Sequence, residues 1–301
     1  MYTRMLIPLD GSKTAEKVLH YARRLATVSH VSVELLGVVE MTDIAGDIAS
    51  NETPYAEALI KEALRDSTDY LESLAKTFPN ATVRCSVTQG RPGDIIIAAG
   101  ASDKDTLIAM ATHGRSGMSR WLLGSVTEKV LRGTSNPLLV VHASEAAKTE
   151  GQAVLSSVIV PLDGSDIAEA ILSPVATLAK ALGLQVILIR VYGLPLATYG
   201  GDDYYVPDYL ELKDQIKDDA DDYLSSRASL LRVQGVANVS TVAVEGSAAD
   251  AILSFARKTP DNLVAMSPYG RSGLQRWVLS SVTEKVVRHC EDPVLIVRGA
   301  R

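Results

Sequence analysis

The sequence predicts an α/β protein made of two tandem, doubly wound, Rossmann-like domains, each on a five-stranded parallel sheet. Three observations predict it. The chain has 301 residues, room for about two domains of ordinary size, each able to bury its own core. Its second half repeats its first. Each half alternates short apolar runs with segments of helical spacing, the order that joins parallel strands through helical crossovers.

The repeat is read by self-comparison. Pro8-Leu9-Asp10-Gly11-Ser12 returns as Pro161-Leu162-Asp163-Gly164-Ser165, and Gly114-Arg115-Ser116-Gly117 returns as Gly270-Arg271-Ser272-Gly273. SVTEKVLR at 125–132 returns as SVTEKVVR at 281–288, and Asn136-Pro137 before an apolar run returns as Asp292-Pro293. The offset grows from 153 to 156 residues, so the second copy has three extra residues, expected in the Gly-, Tyr- and Asp-rich segment 193–207. The small, polar segment 144–153 reads as a linker between a first domain, 1–143, and a second, 154–301.

In the first copy, 5–9 is an apolar run that predicts a buried strand. Ser12 is placed to cap a helix over 13–28, with Ala15, Val18, Leu19, Ala22, Leu25 and Ala26 on one face. A β-rich run covers 31–39, and 41–53 is a polar loop. An amphipathic helix is expected over 55–78, stopped by Pro79-Asn80. Residues 81–88 alternate as a strand, 92–101 form a helix opened by Pro92, and 106–111 are a buried strand. A helix over 125–132 with Gly133 as its C-cap leads to a last strand, 138–142. In such sheets the ligand lies beyond the carboxyl ends of the strands, where the strand order reverses.

Charge and composition exclude several classes. The formal net charge is −6, which argues against nucleic acid and anionic membrane as partners. No apolar stretch approaches the ~18 residues of a membrane span. The run after Met1 enters a strand directly, which predicts no signal peptide and a cytoplasmic protein. The two cysteines, Cys85 and Cys290, sit at non-equivalent places, fitting a reducing compartment and inert thiols. On that localisation the sequons at Asn51, Asn80 and Asn238 are expected to be chance.

The chemistry gathers between Met110 and Thr127, where the chain passes from strand to helix. Gly114 and Gly117 allow positive φ and close backbone approach, and Gly124 opens the helix. A helix N-terminus presents unpaired N–H groups and the positive end of a dipole, and Ser125 and Thr127 add hydroxyls. The residues alone leave two readings open: a di- or triphosphate site, or a plain turn with an ordinary cap. The second copy reads differently. Ser267 stands for Ala111, Pro268-Tyr269 for Thr112-His113, and Ser280 for Gly124. A serine at a positive-φ position would be strained, its Cβ would crowd a phosphate, and Pro268 removes a backbone donor. A strong site in copy one and a weakened or altered, degenerate one in copy two are expected.

The strand-end Asp10, then Ala111-x2-Gly114-x9-Gly124-Ser125, then a helix and a last strand led by Pro137, resemble the universal stress protein family. Both halves resemble it along nearly their full length. The resemblance implies an adenine-nucleotide alpha-hydrolase-like fold and ATP as ligand, with Mg2+ or Mn2+ beside the phosphates. It places the adenosine part at Pro8, Leu9, Asp10 and Val38. Ribose and phosphates fall on Met110, Ala111, His113, Gly114, Arg115, Ser116 and Gly117, and on Gly124, Ser125, Val126 and Thr127. The second-copy counterparts are Pro161, Asp163, Val191, Gly270, Arg271, Gly273, Ser280, Ser281, Val282 and Thr283. It also implies an intramolecular pseudo-dimer through the last strands, packed face to face, and leaves room for a further homodimer.

His113 is read as lining the ligand rather than as a base, since Tyr269 replaces it. His20, His30, His142 and His289 lack metal-ligand spacing and read as structural or solvated. Asp10 and Asp163 suit a ribose, a metal or a helix start, and Arg115 and Arg271 suit phosphates or solvent. Trp121 and Trp277 suit packing or an interface, and the acidic run 218–222 suits a solvated helix face. The leading function is a nucleotide-dependent stress-response regulator. The alternatives are a slow ATPase or nucleotidyl-transfer enzyme, and a scaffold that binds no nucleotide. Leu9-Asp10-Gly11-Ser12 after the first strand lacks the SGGxDS pattern of a pyrophosphate-gripping ligase.

Overall fold

The computed structural model describes residues 2–29, 31–40, 53–113, 123–142, 153–193, 209–268 and 279–298. In the first copy the elements are β1 (Arg4–Pro8), α1 (Lys13–Glu16), α2 (Val18–Ser29), β2 (Ser32–Val39), α3 (Thr53–Ala75), β3 (Val83–Gln89), α4 (Pro92–Ala101), β4 (Thr106–Ala111), α5 (Ser125–Gly133) and β5 (Leu138–Val141). The second copy repeats them as β6 (Ser157–Pro161), α6 (Asp166–Glu169), α7 (Leu172–Leu182), β7 (Gln185–Tyr192), α8 (Tyr209–Val233), β8 (Val239–Glu245), α9 (Ala248–Lys258), β9 (Asn262–Met266), α10 (Ser281–His289) and β10 (Val294–Ile296). Ser32 and Gln185 keep the shorter offset while Thr53 and Tyr209 have the longer one, so the three extra residues fall between β7 and α8, in the span the sequence indicated.

Every strand pair within a copy is parallel. The sheet order is β3-β2-β1-β4-β5-β10-β9-β6-β7-β8. The strand order therefore reverses between β1 and β4 in one copy, and between β6 and β9 in the other. The two halves meet through β5 and β10, which run antiparallel with Leu139 opposite Leu295. The junction is thus edge to edge within one ten-stranded sheet, not face to face. It removes two exposed sheet edges.

The strands bury both faces, as a covered parallel sheet requires. Met5, Ile7, Leu107 and Ala109 point to one core, and Leu6, Ile108 and Met110 to the other. Each core runs on into the second copy, through Leu263 and Leu295 on one face and Val264 and Ile296 on the other. Two guanidinium–carboxylate pairs tie α5 to α10 across the junction, Arg132–Glu284 and Arg288–Glu128, both at 3.8 Å. Arg298 adds a hydrogen bond from Nη2 to the Leu131 carbonyl at 2.9 Å, at the C-terminal end of α5.

Several local expectations are corrected. The helix expected over 13–28 is two helices, because Lys17 N–H bonds back to Thr14 at 3.3 Å and closes α1 in a tight turn. The predicted face is nonetheless buried: Val18, Leu19, Ala22 and Ala26 are at most 1% exposed. Helix α3 ends at Ala75, before Pro79, in turns that bond Thr77 to Leu74 and Phe78 to Ala75. Gly133 is the last helical residue, not a left-handed cap, and Thr134 is the C-cap. A Cβ on Gly133 would lie 2.6 Å from Ile97 Cδ1, so this glycine serves the close crossing of α4 and α5.

Candidate functional site

Both candidate sites lie at the carboxyl ends of the strands, at the point where strand order reverses. The turn after the first strand of each copy has the same construction. Asp10 Oδ1 accepts from Ser12 N at 3.0 Å and Ser12 Oγ at 2.6 Å, and Ser12 Oγ in turn accepts from Ala15 N at 3.1 Å. Asp163, Ser165 and Ala168 repeat this at 2.9, 2.6 and 3.2 Å. Gly11 and Gly164 have φ of 84° and 89°, the left-handed region this reversal needs. The aspartate is thereby oriented, and one of its oxygens serves the helix start. Sequence reading identified Ser12 as the cap, and the matching position of Ser165 in the repeat carried the same signal.

The helix that follows β4 or β9 starts against the strand end. Gly124 N–H bonds to the Thr112 carbonyl at 2.9 Å, and Ser280 N–H bonds to the Pro268 carbonyl at the same distance. Thr127 Oγ1 donates to the Ala111 carbonyl at 3.0 Å, and Thr283 Oγ1 to the Ser267 carbonyl at 3.2 Å. Both threonines are buried. Their hydroxyls tether helix to strand, while Ser125 and Ser281, one residue past the cap, are exposed.

Gly124 is at φ −60°, ψ 145°, and Ser280 at φ −64°, ψ 146°. The φ is negative at both, so a serine suffers no backbone strain there. A Cβ on Gly124 would meet the Thr112 carbonyl oxygen, a strand-end atom, at 2.9 Å. What the serine changes is the cap. Ser280 Oγ accepts from Thr283 N at 3.1 Å, whereas Gly124 offers no side-chain cap. The first turn of α5 keeps an amide that α10 satisfies internally. Pro268 also acts elsewhere than expected. Thr112 N–H bonds to the Val141 carbonyl at 2.9 Å, a sheet contact that a proline at the equivalent place cannot make.

In the second copy the elements enclose a cleft of about 310 Å³. Pro161 and Asp163 line one part, Val191 near the end of β7 another, and Ser280–Thr283 the helix start. Leu162, Ile189, Ala248 and Ile252 complete it, and sequence reasoning missed these because their apolar pattern also fits plain core. Ser267 lines the cleft as well; its hydroxyl is buried and has no hydrogen-bond partner. The described first-copy counterparts occupy equivalent strand ends: Pro8, Asp10 and Val38 are partly exposed, while Leu9, Met110 and Ala111 are buried. Val126 and Val282 pack against the same core. Gly114, Arg115, Ser116, Gly117 and Trp121, and Tyr269, Gly270, Arg271, Gly273 and Trp277, lie outside the described residues, as do His30 and the linker 144–152.

His142 is not solvated. It is 9% exposed, its Nδ1 has no hydrogen-bond partner, and its ring lies 6.5 Å from that of His113 in a T-shaped arrangement. Burial lowers the pKa of both, and each His142 proton is further disfavoured by His113. Among the described residues no group of three or more His, Cys, Asp and Glu side chains is placed to hold a metal. No described helix is long and apolar enough to cross a membrane. The acidic run 218–222 lies on α8 with Ala220 buried and Asp218, Asp219 and Asp222 exposed. Cys85 is half-buried against the core, and burial pushes the Cys290 thiol up to about 12.

The model of the universal stress protein family matches residues 1–142 and again 156–298. The chain belongs to that family. A universal stress protein of Methanocaldococcus jannaschii is 28% identical over 141 residues, 47% of this chain and 82% of its own. One from Mycolicibacterium smegmatis is 21% identical over 298 residues, covering 98% of this chain and 96% of its own. Among solved structures, a universal stress protein from Archaeoglobus fulgidus superimposes along 100% of both chains with a TM-score of 0.72 at 21% identity, a likeness of fold. The tandem architecture read from the repeat is therefore that of a two-domain universal stress protein.

Proposed function

We propose that this universal stress protein binds ATP in its first copy and uses the bound state as a regulatory signal, with an altered site in its second copy. The observation that carries the reading is the open first turn of α5, set at the strand-order reversal with Gly124 as its uncapped N-cap. Uncapped amides at the positive end of a helix dipole favour an anion. In this reading Pro8, Leu9, Asp10 and Val38 hold the adenosine part. Met110, Ala111 and His113 line the ribose side, and the amides of Ser125, Val126 and Thr127 face the phosphates together with the 114–117 loop. A divalent cation, Mg2+ or Mn2+, enters with the phosphates it neutralises.

Binding that orders the loops at the strand ends shifts a conformational or partner equilibrium by its differential affinity. No catalytic residue is assigned. The two copies form an intramolecular pseudo-dimer in this reading, and the chain works in the cytoplasm. Calorimetric titration of the intact chain with ATP and Mg2+ tests it, read beside mass spectrometry of small molecules released on denaturing the purified protein. One tight equivalent of ATP is expected. Two equal sites, or no binding, would overturn the reading, and phosphate release in step with binding would favour an ATPase.

A further inference from the structure

We infer that the cleft of the second copy takes an uncharged adenine nucleoside in preference to its triphosphate. The inference deepens the proposed function and rests on it only for the adenine character of the ligand. The charge preference rests on residues that differ between the copies.

The Gly-Arg-Ser-Gly loops are identical in sequence, so they cannot by themselves distinguish the sites. The residues around them can. Among the described residues at the carboxyl ends of the strands, the copies share Asp10/Asp163 and Glu16/Glu169, and the first copy differs by carrying Lys13, which pairs with Glu16 at 2.9 Å, Lys17, Arg91 and Glu40. The second has Asp166, Ala170, Ser247 and Gly193 at those places, and Glu245 where the first has Gln89. Glu245 is ion-paired with Lys213 at 2.7 Å, so the change of sign that remains is Lys13 to Asp166. Asp166 is the first residue of α6, two before Ala168 in the cleft wall. The attraction for phosphate is therefore weaker at the second mouth than at the first.

The helix start points the same way. Ser280 Oγ already satisfies Thr283 N at 3.1 Å. A phosphate entering there must displace that bond, whereas Gly124 has no side-chain cap to displace. The rest of the cleft suits a nucleoside. Its volume, about 310 Å³, is at the small end for ligand sites. Its lining is apolar at Ile189, Val191 and Met266, and Asp163 supplies an oriented carboxylate. Ser267 replaces Ala111 and brings a buried hydroxyl without a partner. An unpaired buried hydroxyl is unfavourable until a ligand meets it.

The sequence supplies a probe for each site. Met110 and Met266 occupy equivalent strand ends, and Met266 lines the cleft. Methyl-labelled methionine NMR of the intact chain, assigned with Met110→Leu and Met266→Leu, distinguishes them. Adenosine added to protein saturated with ATP and Mg2+ is expected to shift the Met266 methyl and to bind one further equivalent. Its affinity there should equal or exceed that of ATP, and should change less than about twofold between low and physiological salt, since no charge is screened. In Ser280→Ala the Thr283 amide opens, and ATP is expected to gain about tenfold against adenosine at that methyl, the scale of one amide hydrogen bond to a charged group. ATP shifting Met266 more tightly than adenosine, or adenosine leaving Met266 unmoved, would overturn the inference. Adenosine binding at Met266 without any ATP effect at Met110 would sink the proposed first-copy site and leave this one standing.

Discussion

At Gly124 and Ser280 the two copies have backbone angles within a few degrees of each other and the same 2.9 Å bond back to the strand end. The tethering threonines, the aspartate turns and the parallel strands also match. The copies differ in what the first helical turn has left to offer. In α10 a serine hydroxyl satisfies the amide of Thr283; in α5 no side chain among the described residues does so for Thr127. Duplication has preserved the scaffold and changed the chemistry at its edge, through side chains that leave the backbone path untouched.

The largest expected effect tests how far the copies are one unit. Leu139 and Leu295 face each other across the junction and are 2% and 3% exposed. Leu139→Ala and Leu295→Ala should each cost about 3 kcal/mol. Denaturant unfolding should show one transition in both variants, and separate transitions would mean that the copies unfold independently.

Next is the exchange of caps. Gly124→Ser should lower ATP affinity at the first copy about tenfold, as the new hydroxyl satisfies the Thr127 amide. Its Cβ, set 2.9 Å from the Thr112 carbonyl, must also shift that oxygen. Unchanged ATP affinity by calorimetry would show that the cap is not what separates the sites. For stability the reverse holds: Ser280→Ala should cost about 1 kcal/mol and Ser280→Gly only a few tenths, read from urea midpoints.

A third contrast is in pH. Burial holds His113 and His142 below the ordinary 6.5, so the unfolded chain takes up protons before the folded one. Their contribution to stability is full above about pH 6.5 and declines as pH falls below it. Tyr269 and Arg298 stand at the matching positions and supply no such slope. His142→Gln should flatten the fall in unfolding free energy between pH 7 and pH 5.5, and an unaltered slope would assign it to other groups.

The smallest effect concerns the ion pairs over the junction. The two pairs that cross it are equal at 3.8 Å, but within its own helix Arg288 approaches Glu284 at 2.9 Å and is 22% exposed, against 3.2 Å to Glu128 and 43% for Arg132. Arg288→Gln should therefore destabilise more than Arg132→Gln, with both below about 1 kcal/mol and smaller at high salt.

Much of this was legible in the residues. The repeat located the equivalent elements, and α4 and β4 have the bounds their sequence predicts, because Pro92 opens the one and a run of apolar residues defines the other. The break at Lys17 was not legible, since the buried face continues in phase through it. Nor was the role of two glycines. Gly124 and Gly133 look like sites of positive φ, but each is a place where another atom comes too close for a Cβ, and that proximity is created by the fold. The open and closed helix starts were half legible. The Gly-to-Ser exchange is visible in the sequence, yet its meaning depends on the rotamer that brings Ser280 Oγ to Thr283 N. Ser267 could be seen in the sequence as a replacement for Ala111, but only the structure shows that its hydroxyl lines the same cleft as Asp163 and Ser280.

The antiparallel junction of β5 and β10 has one more consequence. A dimer of identical chains must carry every substitution twice, once on each side of its axis, and falls apart on dilution. Here the partner is always present at the effective concentration of a tether. One side can place His142 where the other places Arg298, whose guanidinium reaches over to Leu131. A contact of that kind breaks two-fold symmetry and fixes which half is which, so a signal read at one end of the sheet need not be read at the other.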